Sequence, residues 1–194
     1  MEIIIHRVNK IKKLKKIPTT YGVEIDIRSF KSKLILNHDP QKSGDTLDSF
    51  LNNYKHGTLI LNIKEAGIED QVIKKVKNAK IKSYFLLDVE FPYIFKSIKK
   101  KEKNLAIRFS EYEPIQIAKL MSDKFKWLWI DTVTKLPVNK RNIKIFKKYK
   151  TCIVCPERWG RPQQIKAYKK KLKKLNYIPD AVMTSLKHSN DWLD

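Results

Sequence analysis

The sequence predicts an α/β chain folded as a compact (β/α)8 TIM-type barrel, with an open doubly wound sheet as the alternative, and three observations lead there. Eight short apolar runs recur at a near-regular beat, at residues 3–5, 23–27, 58–63, 83–89, 105–109, 127–130, 151–154 and 181–183. Most of the intervals between them carry apolar residues at helical spacing. Nearly every run ends in an ionisable residue. Strands buried on both faces read as unbroken apolar runs, strands separated by helices pair in parallel through right-handed crossovers, and eight repeats close a barrel. The 194 residues suit one domain, 1–194, slightly below the usual length for such a barrel, so its helices should be short and its connections tight.

Taken in order, the first crossover at 9–20 sets lysines at 10, 12, 13, 15 and 16 around Ile11, Leu14 and Ile17, and reads as one short helix or an irregular loop. The run at 23–27 alternates, with Glu24 and Asp26 on one face and Val23, Ile25 and Ile27 on the other. A second apolar run, 34–36, ends in Asn37-His38-Asp39-Pro40. Crossover helices are expected at 45–54 on Leu47, Phe50 and Leu51, at 69–79 on Val72, Ile73 and Val76, and at 92–100 on Ile94, Phe95 and Ile98. Three more follow: 113–124 with Pro114 in its first turn, 139–149 with Ile143 and Phe146, and 162–175 with Ile165, Tyr168 and Leu172. The lysine runs at 99–101 and 169–174 fall on solvated helix faces.

The chain is 42% hydrophobic and carries a formal net charge of +22, a balance that ordinarily points to a polyanionic partner. Only six of its 42 basic residues are arginine, and the lysines spread from Lys10 to Lys187. That is the bias of an AT-rich coding sequence, so nucleic acid is not an expected partner. Trp127 and Trp129 share a strand face and read as core packing, without the basic groove that base stacking needs. Cys152 and Cys155 stand in an apolar run with no further ligand pair nearby, and read as small buried side chains. The apolar run at 3–5 is too short for a secretory signal, no stretch approaches the roughly 20 apolar residues of a membrane span, and a cytoplasmic protein is expected.

The active end of such a barrel lies at the C-terminal ends of its strands. Gathered there are His6-Arg7, Glu24 and Asp26 with His38-Asp39 behind them, Asn62 and Lys64-Glu65, Asp88, Arg108 and Glu111, Asp131, Glu157-Arg158, and Thr184. Glu24 and Asp26 are hard oxygen donors suited to Mg²⁺ or Ca²⁺. His6 and His38, with ordinary pKa values near neutrality, suit a general base and a general acid. Asp39 would orient His38 or join the metal shell, while Asp88 and Asp131 would support the inner residues from behind. The segment Glu157-Arg158-Trp159-Gly160-Arg161 reads equally as a substrate clamp or as a loop anchored by Trp159. His56 and His188 carry no assigned role.

The order of EIIIHR at 2–7, Glu24-x-Asp26 and His38-Asp39 resembles the glycerophosphodiester phosphodiesterase family and its phosphatidylinositol-phospholipase-like relatives. The later segments LILNIKEAG, YFLLDVEFP, AIRFSEYEP, WLWID and PERWGR look like a short subgroup of it. The resemblance covers most of the chain. It implies a metal-assisted hydrolase of lipid metabolism acting on a small glycerol- or sugar-linked phosphodiester. His6 and His38 would be its acid and base, Glu24 and Asp26 its metal ligands and Arg7 and Lys64 its phosphate contacts; Asn62 and Asp39 are further candidates for the metal shell, and Arg108 and Glu157, from their places at strand ends, for substrate contact. The chain departs from the family pattern in lacking the glycine and Pro-Glu-Asn-Thr segment after His6-Arg7, and in placing Asn62 where a third carboxylate is usual. The alternative is a barrel that binds without turnover, or a basic module for polyanions.

Overall fold

The computed structural model describes residues 1–193. Each apolar run becomes a strand: β1 (Glu2–Ile5), β2 (Gly22–Phe30), β4 (Leu59–Ile63), β5 (Tyr84–Leu87), β6 (Ala106–Phe109), β7 (Trp127–Ile130), β8 (Lys150–Val154) and β9 (Ala181–Thr184). One further strand, β3 (Lys33–Leu36), forms from the second apolar run and folds back on β2 as an antiparallel hairpin, with Ile27 opposite Leu36. The other eight pair in parallel in the order β5-β4-β2-β1-β9-β8-β7-β6. The two ends of that order meet at a single bridge between Leu86 and Leu105, where the Leu86 amide donates to the Asn104 carbonyl at 2.9 Å. The sheet is therefore nearly closed into a (β/α)8 barrel.

Parallel strands cannot be joined by a tight turn, so each connection crosses back outside the sheet. The crossovers carry α1 (Ile11–Leu14), α2 (Leu47–Asn52), α3 (Glu69–Asn78), α4 (Phe91–Lys99), α5 (Ile115–Met121), α6 (Lys140–Phe146) and α7 (Ile165–Lys174). Most are a few residues shorter than the apolar periodicity predicts, and the start signals explain where they begin. Pro114 is an extended N-cap rather than a first-turn residue. Pro162 opens a 3-10 turn ahead of α7. Asn139 and Asn142 cap α6 reciprocally, and the Thr46 hydroxyl accepts from the Ser49 amide at the start of α2. The first crossover contains one helical turn.

Alternation along the strands sorts the apolar residues into two cores. Inside the barrel lie Ile4, Ile60, Phe85, Leu87, Trp127, Trp129, Cys152, Val154 and Met183, with Phe85 stacked on Trp127 at 4.5 Å. Between sheet and helices lie Ile3, Ile5, Val23, Ile25, Phe50, Val76, Phe146 and Leu172, among others. Cys152 belongs to the inner core and Cys155 to the outer, both buried and free. The two tryptophans of β7 pack the barrel interior.

A polar knot ties strand starts together at the N-terminal end of the barrel. The Glu2 carboxylate accepts from the Thr58 amide and hydroxyl, each at 2.6 Å, and that hydroxyl meets the Ser83 hydroxyl at 2.8 Å. Gly22 faces this knot, where a Cβ would stand 2.4 Å from the Thr58 carbonyl oxygen and 3.0 Å from Glu2. Only a residue without a side chain fits. At the opposite end the same alternation turns Glu24, Asp26, Asn62, Arg108 and Asp131 toward the mouth.

Candidate functional site

A cavity of about 160 Å³ opens among the C-terminal strand ends, walled by His6, Glu24, Asn62, Asp88, Arg108, Asp131, Arg158 and Trp159 over a floor of Leu87, Trp129, Val154 and Met183. A roomier groove of about 490 Å³ lies on the outer surface by α3 and α4. Lys77 and Lys100 in its walls are already paired with Glu102 and Asp70, so it carries no comparable chemistry.

β1 delivers His6 and Arg7, and the chain then turns sharply, with Arg7 in the left-handed region at φ 53°. That turn aims the Arg7 amide at Glu24 Oε2, 2.7 Å away. From α1 the Lys13 ammonium holds the carbonyl of Arg7 at 2.8 Å. Asp88, at the end of β5, is also left-handed, with φ 57°. Such conformations cost a non-glycine residue about 1–3 kcal/mol each and cluster at sites where the surrounding structure over-determines them.

Glu24 is buried, takes the Asn62 amide on its Oε1 at 2.9 Å, and has His6 Nε2 3.8 Å from its Oε2. Burial, reinforced by the charge of Asp26, raises its pKa to about 7. Burial likewise drives His6 down to about 3, helped by the positive charges of Arg158, Arg7, Lys13 and Lys64. The imidazole is therefore neutral at physiological pH, and burial with the surrounding cations disfavours its protonated form.

Asp26 is equally buried and fully engaged. Asn9 bonds it reciprocally, its Nδ2 donating to Oδ2 at 2.7 Å and its Oδ1 accepting from the Asp26 amide at 2.8 Å. Arg7 Nε stands 3.5 Å from Oδ2 and Lys64 Nζ 3.4 Å from Oδ1. Lys64 also reaches Asp88 at 3.6 Å. Arg108 spans Asp88 at 2.5 Å, Glu113 at 3.1 Å and Asp131 at 3.1 Å. Asp131 further accepts from the Thr132 amide, Trp159 Nε1 and Trp129 Nε1.

These contacts correct the expected Mg²⁺ or Ca²⁺ site. Among the described residues no grouping of three His, Cys, Asp or Glu is placed to hold a metal ion. A divalent cation between Glu24 and Asp26 would meet oxygens that already accept hydrogen bonds, with an ammonium and a guanidinium beside Asp26. Asn62 presents its nitrogen, not its oxygen, to Glu24. Asp39 is half exposed on the segment after β3, paired with Lys42 at 2.8 Å and with His38 at 3.0 Å. The donor set does not fit a hard cation, and the metal-assisted, two-histidine hydrolysis expected from the sequence fails with it. His38 is 45% exposed on the segment after β3 and does not line the cavity that His6 joins. Arg28 ties this segment to the barrel by bonding the carbonyls of His38 and Lys64.

The Glu157–Arg161 segment divides the roles that its sequence left open. Glu157 accepts from the Ser185 amide at 2.7 Å and the Thr184 hydroxyl at 3.2 Å, which fastens it to the end of β9 rather than to a substrate. Arg161 bonds the carbonyls of Thr132, Val133 and Thr134. Between these two anchors Arg158 lines the cavity with no ion pair or hydrogen bond from its guanidinium among the described residues. Sequence reasoning missed Asn9 as a site residue, and reached Arg158 and Trp159 only as part of a segment read equally as a clamp or an anchored loop. The signals for Arg158 were its place at a strand end and in that segment.

No protein-family model matches the chain, and no curated protein does. Solved structures do. A protein of Agrobacterium tumefaciens, provisionally named a glycerophosphoryl diester phosphodiesterase, superposes with a TM-score of 0.69 at 10% identity, over 98% of this chain and 96% of that one. A glycerophosphoryl diester phosphodiesterase of Parabacteroides distasonis superposes with a TM-score of 0.65 at 13% identity, over 98% and 85%. Over nearly its whole length this chain has the fold of the glycerophosphodiester phosphodiesterases.

Proposed function

We propose that the chain is a phosphodiester-acting hydrolase in which the protein's own cations, rather than a divalent ion, meet the phosphate charge. The observation that carries this reading is the neutral His6 sharing a small cavity with the unpaired Arg158 guanidinium. The fold of two glycerophosphoryl diester phosphodiesterases supports it.

In this reading Arg158 holds a phosphoryl oxygen. The attacking water gives its proton to the His6 imidazole as its oxygen bonds to phosphorus. Glu24, 3.8 Å from His6 Nε2, compensates the imidazolium that forms. The bond from phosphorus to the leaving alkoxide then breaks, and solvent at the open mouth protonates that alkoxide. A positioned base contributes about 10²–10⁴-fold when its pKa lies near the working pH; His6, held near 3 by burial and by Arg158, Arg7, Lys13 and Lys64, approaches that condition when bound phosphate charge offsets those cations.

The test is hydrolysis of a generic aryl phosphodiester and of glycerophosphodiesters, with and without chelator. Turnover should be indifferent to the chelator, fall by about 100-fold or more in His6→Gln, and show a raised KM in Arg158→Ala. Turnover that requires an added divalent cation, or none at all from folded protein, would sink the reading.

A further inference from the structure

The basic charge is not spread evenly along the folded chain. Between Asp131 and Asp180 stand fifteen lysines and arginines against a single acid, Glu157, so this quarter of the sequence supplies fourteen of the net +22 charges. It builds α6 and α7, which join the neighbouring strands β7 to β8 and β8 to β9 and so cover adjoining sectors of the barrel wall. Ile143 and Phe146 bury one side of α6, and Ile165, Tyr168 and Leu172 one side of α7. Opposite them at helical spacing stand Lys140 and Lys144 on α6 and Lys166, Lys170, Lys173 and Lys174 on α7, all exposed. None of these six has a side-chain hydrogen bond or ion pair among the described residues. The α2–α4 flank is neutralised instead, with Lys75 paired to Asp48, Lys77 to Glu102, and Lys96 and Lys100 to Asp70. Like charges four residues apart destabilise a helix, so an unbalanced row of them is held at a cost. A coding bias toward lysine accounts for the number of lysines and not for the absence of acids among them.

Just beyond the C-terminal end of α7 this basic face meets an apolar one. Ile178 is 79% exposed, the most of any large hydrophobic residue among those described. It shares a groove of about 560 Å³ with Lys173, Leu172, Pro179 and Trp192. We propose that the α6–α7 face is a docking surface for an anionic lipid bilayer, with the lysine rows against the headgroup charge and Ile178 entering the interface beside Lys173. Lysines held within a screening length of an anionic leaflet are drawn to it, and a protruding aliphatic side chain adds burial that a purely electrostatic partner does not reward. Single-stranded nucleic acid is gripped by aromatic stacking as well as by charge, and the exposed rings of Phe91, Phe95 and Tyr112 belong to α4 and the turn after β6, outside this face. The inference is independent of the hydrolase reading.

The test is cosedimentation with vesicles of phosphatidylcholine, alone or mixed with phosphatidylglycerol, beside a titration with a short DNA duplex. Wild-type protein should bind the mixed vesicles at least about 10-fold tighter than phosphatidylcholine alone. Raising the ionic strength from about 0.1 M to about 1 M, which shortens the screening length from about 10 Å to about 3 Å, should remove most of that gain. Replacing Lys166, Lys170 and Lys173 together by glutamine should lower the affinity about 100-fold, at roughly fivefold per lysine. Ile178→Ser should lower it about 10-fold. A control with Lys33→Gln, Lys74→Gln and Lys119→Gln loses the same charge from exposed positions elsewhere on the barrel, and should lower it by less than about fivefold. Equal binding of the two vesicle types, a control as damaging as the α7 triple, or an unchanged affinity in Ile178→Ser would overturn the proposal. Tighter binding of the duplex than of the mixed vesicles, lost in the α7 triple, would assign the face to nucleic acid and overturn the bilayer. The comparison of the two vesicle types by wild-type protein stands even if a variant does not fold.

Discussion

His6 is 13% exposed among four cations, and its folded pKa of about 3 lies far below the ordinary 6.5. A depressed pKa gives stability that is complete above 6.5 and is lost as pH falls toward 3, because the unfolded chain binds the proton first. Denaturant unfolding at pH 7 and at pH 4.5 should therefore show the wild type losing on the order of 2 kcal/mol relative to His6→Gln. Glu24 works in the opposite sense: its raised pKa favours the fold at low pH, and that contribution fades as pH rises from 4.5 through 7. An unchanged gap between wild type and variant at the two pH values would mean that His6 is hydrated rather than buried. Residue types at the strand ends were legible in the sequence because period-two alternation fixes which side chains face the mouth. Their pairings were not. Nothing in Glu24-x-Asp26 announces that Asn9, Arg7 and Lys64 satisfy Asp26, and carboxylates so satisfied look the same in sequence as carboxylates awaiting a metal.

Elements were read more surely than sites. Strands buried on both faces leave unbroken apolar runs, and all eight such runs became parallel strands. β3 was harder to place, since three apolar residues near turn signals do not say that they pair antiparallel outside the barrel. Helix ends were blurred because apolar periodicity continues past the last hydrogen-bonded turn, whereas Pro114 caps α5 and Pro162 opens the 3-10 turn ahead of α7. Gly22 illustrates a constraint of pairing rather than of backbone conformation, for its neighbours Thr58 and Glu2 belong to other segments. Gly22→Ala should destabilise the fold by about 3 kcal/mol, the upper part of the usual overpacking range, as measured by denaturant unfolding. A loss below about 0.5 kcal/mol, the scale of ordinary surface substitutions, would show that the barrel end is loosely packed.

At the scale of the molecule, the β5–β6 junction is the weak closure of the barrel, with one bridge where the other neighbours share ladders of two to five residue pairs. Backbone groups without a cross-strand partner exchange through small openings. Amide hydrogen exchange should accordingly be slowest in β1, β2 and β4 and fastest along the facing edges of β5 and β6. Uniform protection around the barrel would indicate a fully closed sheet in solution. The knot of Glu2, Thr58 and Ser83 has the contrary effect at the N-terminal end, where it ties the starts of three strands together. Because Phe85, Trp127, Cys152 and their neighbours fill the barrel interior, the cavity among the C-terminal strand ends has no passage through the barrel behind its floor. Whatever is released must leave by the route its precursor took, so the two compete for the same passage, and a polymer can be engaged only by an end or a side group short enough to enter.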